Sequence, residues 1–182
     1  STLDRSSAAS DVYKRQLMVV MGPWASAKYR KMSDEDGYRA VAFALLMNTY
    51  MKYLSKEYVY MPPTCSCATT SAPAAAAGVA FLHGLTPQQI NDMLCTSQVQ
   101  MCGVVCDGAK PSCAFRMFVA LFGALEAMMM AEKGIRATNV EGFVHDDLKV
   151  TLENIYRLQH DVLHNKVDAI LWDIVKEQKT IH

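Results

Sequence analysis

The chain has 182 residues, enough for one domain with a continuous core, and 51% of them are hydrophobic. Its 18 basic residues equal its 18 acidic residues, so no net field would draw it to nucleic acid or to an anionic membrane. The most apolar stretch, residues 114–131, contains Arg116 and Glu126, which argue against a membrane span and favour a buried helix.

The first 16 residues, STLDRSSAASDVYKRQ, are polar and have no helical or strand period. We interpret residues 1–16 as a disordered N-terminal extension that does not belong to the domain, and residues 17–182 as the helical domain. The apolar run 17–21 is too short for a secretory leader, so we expect a cytoplasmic protein. The same run fits either a strand or the start of a buried helix, and Gly22-Pro23 follows it.

Helix signals dominate the next part of the chain. Ser33 precedes three acidic residues, which predicts a helix N-terminus, and Pro62-Pro63 predicts its end. The small residues of 68–78 predict a helix that packs tightly on a neighbour. Residues 86–89, TPQQ, combine a threonine cap, a proline and a glutamine in the pattern of a capping box.

Two further helices are predicted towards the C-terminus. One begins after Ser112 and runs to about Glu132, with residues 128–130 (MMM) filling an irregular part of the core. The other covers about 146–176, where apolar residues recur at steps of three and four. No alternating apolar run indicates a strand. The predicted fold class is therefore all-α, a single helical domain with a small-residue helix and cysteine-bearing loops.

All six cysteines lie between residues 65 and 113. Single cysteines are often small buried hydrophobes, but such a cluster in a reducing compartment favours metal or redox chemistry. Cys113 falls in the first turn of a predicted helix, where a thiolate is favoured, and Lys110 adds positive charge between Cys106 and Cys113. These two cysteines could both be ligands of a metal cluster, and a third ligand could come from the segment around Cys65. The spacing disfavours zinc modestly and does not by itself identify an iron–sulfur cluster.

Three segments of the chain resemble a known protein family, and this resemblance favours one kind of metal site. The segment GVVCDGAKPSC, residues 103–113, resembles the signature of the L-cysteine desulfidase-like family, which is related to the alpha subunit of L-serine dehydratase. The block CSCATTSAPAAAAGVAFLHG and the later DDLKVTLENIYRLQHD are similar to two other blocks of that family. The resemblance covers roughly residues 40–174.

The resemblance implies a 4Fe–4S cluster held by Cys65, Cys106 and Cys113, which leaves one iron open to act as a Lewis acid on the substrate. The implied reaction eliminates H₂S from L-cysteine, or water from L-serine, and yields pyruvate and ammonia. Lys110 or Asp107 would hold the charged ends of the amino acid or orient the loop. Cys67 matches a common family cysteine that we do not expect to be a ligand.

Two departures limit what the resemblance implies. The family's N-terminal half, with its proposed base, has no counterpart here, and neither has its S-G-N-H-G motif. We therefore expect a fragment that is inactive alone and that binds a second copy or the missing half. The alternatives are a non-catalytic helical domain whose thiols serve structure or redox sensing, and a zinc-stabilised helical module.

Overall fold

The computed structural model describes residues 17–55, 64–105, 113–139 and 142–163, and the single residues 170, 173 and 177. Helix α1 covers residues 17–29, and the others are α2 (Asp34–Ser55), α3 (Ala72–Leu82), α4 (Pro87–Met101), α5 (Cys113–Glu132) and α6 (Leu148–Leu158). A π-helical turn, Cys67–Ser71, precedes α3, and a second, Gln159–Leu163, follows α6. The all-α prediction is confirmed.

The helix starts follow from local capping. The backbone N–H of Asp36 donates to Ser33 Oγ at 3.1 Å, as expected for a serine cap on α2. Thr86 and Gln89 form the predicted capping box on α4. Asp147 caps α6 by accepting from the backbone N–H of Lys149 at 2.7 Å. These caps satisfy donors that would otherwise lie unpaired in the first turn of each helix.

The ambiguous run 17–21 is helical and continues through Pro23 as part of α1. Pro23 is buried against Gly78 of α3, where α1, α2 and α3 meet. A Cβ atom at Gly78 would lie 2.6 Å from Cγ of Pro23, 2.8 Å from the carbonyl oxygen of Ala40 and 2.9 Å from Cβ of Ala44. Only glycine permits this approach, which confirms the predicted close packing of the small-residue helix.

The main core lies between α2, α3, α4, α5 and α6. The apolar residues at helical spacing in α4 and α6 are buried in the structure: Ile90, Met93, Leu94, Leu148, Leu152 and Ile155. The prediction that Ile170 continues this apolar face is wrong, since Ile170 is 62% exposed. Helix α3 contributes alanines that are fully buried, which lets α2 and α5 pack close to its axis. This arrangement holds the π-helical turn before α3 in the interior.

The prediction that residues 114–131 form a buried helix is wrong for one side of α5. Its alanines at 120, 124, 127 and 131 share one helical face and are buried. The larger residues on the opposite side are exposed, and we call them the α5 face: Phe115, Phe118, Val119, Phe122 and Met129. The prediction that all three residues of 128–130 fill the core is also wrong, since Met129 is 56% exposed. The small residues allow closer contact between α5 and the other helices, so they face the core and the bulky residues face away from it.

Among the helices of the described residues, none combines the length and the apolar content that crossing a membrane requires.

Candidate cysteine site

The backbone of Cys65 is held on both sides. Its N–H donates to the carbonyl oxygen of Val104 at 2.7 Å, and an isolated antiparallel bridge joins Thr64 to Val105. Its carbonyl oxygen accepts from the N–H groups of Ala68 at 2.8 Å and Thr69 at 3.0 Å. Cys65 is 1% exposed. A long-range pairing therefore joins the Cys65 segment to the residues that precede Cys106 in the sequence.

The surroundings of Cys65 and Cys67 are apolar and include α5. Both cysteines belong to a second buried cluster with Ala68, Ala72 and Ala75 of the π-helical turn and α3, Met101 of α4 and Ala120 of α5. Partly buried Val104 and Met117 pack against this cluster. The Arg116 guanidinium donates to the carbonyl oxygen of Val105. The first turns of α5 therefore lie beside the segment that pairs with Cys65.

Most of the other predicted site residues lie outside the described residues. Cys106, Asp107 and Lys110 fall in the range 106–112, which the structure does not describe, and Cys113 is described only as the first residue of α5. Within the described part of the chain, no group of three or more His, Cys, Asp or Glu residues is arranged to hold a metal ion. Of the three predicted ligands, Cys65 alone has a described side chain.

Cys95 is a buried thiol of the core, and Cys102 is a partly exposed thiol. Burial raises the pKa of the Cys95 thiol to about 11, although a hydrogen bond with Thr151 acts in the opposite direction. Burial also raises the pKa of Cys102, which is partly exposed at the end of α4. A raised pKa disfavours the thiolate form, which is the form that binds metal.

Two buried glutamines flank the Cys65 segment, and the sequence analysis missed them. Gln98 of α4 donates from Nε2 to the carbonyl oxygen of Thr69 at 2.8 Å, and Gln159 donates from Nε2 to Thr64 Oγ1 at 2.8 Å. Each is 1% exposed. The Oε1 atom of each glutamine is buried and finds no hydrogen-bond partner among the described residues. A signal was available: each glutamine follows buried apolar residues at helical spacing, on a face that should bury only apolar side chains.

One residue of each π-helical turn takes part in a hydrogen bond close to Cys65. Gln159 opens the turn after α6 and bonds to Thr64, while Thr69 lies inside the turn before α3 and accepts from Gln98. Single π-helical turns are rare and occur often at functional sites. Thr64, the buried part of Cys67–Ser71, Gln98 and Gln159 form a neutral polar patch around Cys65.

Comparison with known proteins assigns the chain to a class. The family model described as serine dehydratase alpha chain matches residues 19–171, so the chain belongs to the serine dehydratase alpha chain family.

Individual relatives agree with this assignment. A "UPF0597 protein" of Shewanella pealeana is 32% identical over 139 residues, covering 76% of this chain and 31% of the relative. A "UPF0597 protein" of Oleidesulfovibrio alaskensis is 30% identical over 155 residues, covering 85% of this chain and 35% of the relative. The chain thus spans about one third of the length of these curated relatives. No solved structure matches it.

Proposed function

We propose that the chain is the cluster-binding part of an amino-acid lyase that eliminates H₂S from L-cysteine, or water from L-serine, to give pyruvate and ammonia. Membership of the serine dehydratase alpha chain family supports an amino-acid lyase of this type. The observation that carries the proposal is the pairing of the Cys65 backbone with the segment directly before Cys106. The pairing brings Cys65 beside Val105, the residue that directly precedes Cys106 in the sequence.

The proposed ligands of a 4Fe–4S cluster are Cys65, Cys106 and Cys113. Cα atoms paired across an antiparallel bridge are about 4.5–5.5 Å apart, and consecutive Cα atoms are about 3.8 Å apart. Since Thr64 pairs with Val105, Cys65 lies close to the last described residue before Cys106. This spacing supports two ligands on one cluster.

The position of Cys113 supports the third ligand. Residues 113, 117 and 120 are spaced by four and three, so they share one face of α5. Met117 and Ala120 pack in the cluster that contains Cys65 and Cys67. The N-terminus of a helix also favours a thiolate over a thiol. The donor set and its buried, apolar setting therefore fit a cluster bound by three thiolates.

A cluster held by Cys65, Cys106 and Cys113 would supply an iron without a protein ligand, and that iron would polarise the leaving group of the substrate. The chain itself would contribute exclusion of water, through the apolar residues around Cys65, and orientation of the substrate. We propose that Asp107 and Lys110, in the loop between Cys106 and Cys113, bind the charged ends of the amino acid.

A set of substitutions tests the ligand assignment. After anaerobic reconstitution with iron and sulfide, we expect about four irons per chain in the parent protein and a loss of most iron in Cys65→Ala, Cys106→Ala and Cys113→Ala. Cys102→Ala is the matched control, because Cys102 is a partly exposed thiol with a raised pKa, and it should keep its iron. Full iron content in Cys65→Ala would contradict the assignment. Stoichiometric zinc, or folded protein that takes up no metal, would favour the structural alternatives instead.

The α5 face supports a proposal about the partner. Four of its residues are between 65% and 75% exposed. Of the described residues that line the adjoining groove of about 610 Å³, Glu126 is the charged one. Contiguous apolar surface of this kind marks an interaction site. We propose that the face binds the polypeptide that the relatives carry outside the third of their length that matches here.

Light scattering and a binding assay test this partner. The polypeptide from the unmatched part of a relative should bind the parent chain and should fail to bind a Phe118→Glu, Phe122→Glu double variant. Tyr29→Glu is the control, since Tyr29 is 90% exposed and lies outside the face. A stable dimer of the chain that the added polypeptide does not displace would contradict the proposal and identify a second copy as the occupant.

A further inference from the structure

We propose that the carboxamide oxygens of Gln98 and Gln159 bind the ammonium group of the amino-acid substrate beside Cys65. The choice of an amino acid as ligand rests on the proposed function. The site itself rests on two buried acceptors for which the described part of the chain provides no donor.

The first step concerns the hydrogen bonds that hold the side chains of Gln98 and Gln159. The amide nitrogen of Gln98 is held by the carbonyl oxygen of Thr69, and that of Gln159 is held by Thr64 Oγ1. Thr64 precedes Cys65, and Thr69 donates its N–H to the carbonyl oxygen of Cys65. Because the oxygen and nitrogen of a carboxamide share one carbon atom, each Oε1 must also lie beside the Cys65 segment.

The second step is the lack of a donor. Leaving a buried acceptor unpaired is unfavourable, and native proteins rarely do so without a functional reason. Here two acceptors, from α4 and from the turn after α6, are unpaired at the same segment. Thr69, which holds Gln98, and Gln159 itself each lie in a π-helical turn, and such turns are enriched at functional sites. The pair therefore has the properties of a binding site rather than of an accidental defect in packing.

The third step identifies the ligand chemistry. A carboxamide oxygen only accepts hydrogen bonds, so the ligand must donate. The buried polar residues around Cys65 are threonine, serine and glutamine, with no ionised group among those described. Neutral acceptors of this kind suit a primary ammonium, which brings three donors. A thiol or hydroxyl on the same molecule would then lie towards Cys65.

Matched ligands test the proposal without requiring turnover. L-cysteine and 3-mercaptopropionate both carry the thiol and the carboxylate, but only L-cysteine carries the ammonium group. L-serine and 3-hydroxypropionate form the same comparison with a hydroxyl. Dissociation constants from NMR titration of the full chain should favour the ammonium-bearing member of each pair by at least about 10-fold, since hydrogen bonds to charged groups are lost without it.

Variants localise that preference. Gln98→Met and Gln159→Met should bring the ratio of the two dissociation constants in each ligand pair close to one. The binding of 3-mercaptopropionate should not change. Gln100→Met is the control on the same helix, because Gln100 is exposed, and it should keep the full ratio. If a glutamine variant does not fold, Thr64→Val removes the anchor of Gln159 and should reduce the ratio. Thr70→Val, which removes a hydroxyl bonded to Ser66 instead, should not.

An unchanged ratio in folded Gln98→Met and Gln159→Met, or equal affinity for both members of each pair in the parent chain, would overturn the inference. Titration of the chain without metal separates this result from the proposed function. A preference for ammonium that depends on the glutamines in a chain that binds no iron would support the amino-acid site and contradict the cluster. A chain that binds iron but shows no preference for ammonium would support the cluster and contradict the amino-acid site.

Discussion

Replacing Gly78 by alanine tests how closely α1, α2 and α3 pack against one another. The added methyl group would lie within 3.0 Å of three atoms, of which one is a backbone carbonyl oxygen and another belongs to the ring of Pro23. Neither atom can rotate away, so the helices must separate. Overpacking of this kind costs about 1–3 kcal/mol, whereas alanine in place of glycine inside a helix gains up to about 1 kcal/mol.

We therefore expect Gly78→Ala to lower the free energy of unfolding by about 1–2 kcal/mol, which corresponds to a melting temperature lower by roughly 2–8 °C. Urea unfolding followed by circular dichroism measures the loss, and the slope of the transition should not change. Gly103→Ala is the control, since a Cβ there meets no atom within 4 Å, and its stability should change by less than about 0.5 kcal/mol. A Gly78→Ala protein as stable as its parent would refute the packing argument.

Three smaller predictions concern buried polar groups. The raised pKa of Cys95, about 11, means that its thiol stabilises the fold below pH 9.0 and that this contribution is lost as the pH rises through 11. Cys95→Ala should therefore flatten the alkaline loss of stability in urea titrations. Asn91 donates to a backbone carbonyl in the loop before α6 and accepts from the N–H of Leu148, so Asn91→Ala should cost about 1–3 kcal/mol in thermal unfolding. Tyr156 donates to the carbonyl oxygen of Met51 at 3.0 Å, and Tyr156→Phe should cost about 1 kcal/mol in urea unfolding.

The sequence predicted the local structure well because local structure depends on neighbouring residues. A serine before three acids, a threonine followed by proline and two glutamines, and apolar residues at helical spacing each act within one or two turns. The small-residue run also predicted close packing, since alanine and glycine allow it whichever partner approaches. The ambiguous run 17–21 was resolved only by the position of Pro23 against Gly78, which belongs to a distant helix.

The parts that could not be predicted depend on long-range pairing. The bridge between Thr64 and Val105 joins segments 41 positions apart, and nothing in either segment specifies the other. Gln98 and Gln159 looked like ordinary polar residues until the fold placed both beside Cys65. The exposed side of α5 was missed because hydrophobic composition predicts burial without saying which molecule provides it. The family resemblance therefore supplied the ligand set that spacing alone left open.

A Mössbauer spectrum of the chain after anaerobic reconstitution with iron-57 tests the central claim most directly. The account expects a 4Fe–4S cluster in which one iron becomes distinct from the other three when L-cysteine is added, because that iron has no protein ligand. The signal should be lost in Cys65→Ala. Four irons that remain equivalent with and without L-cysteine, or a chain that assembles no cluster, would contradict the claim that Cys65, Cys106 and Cys113 share one site.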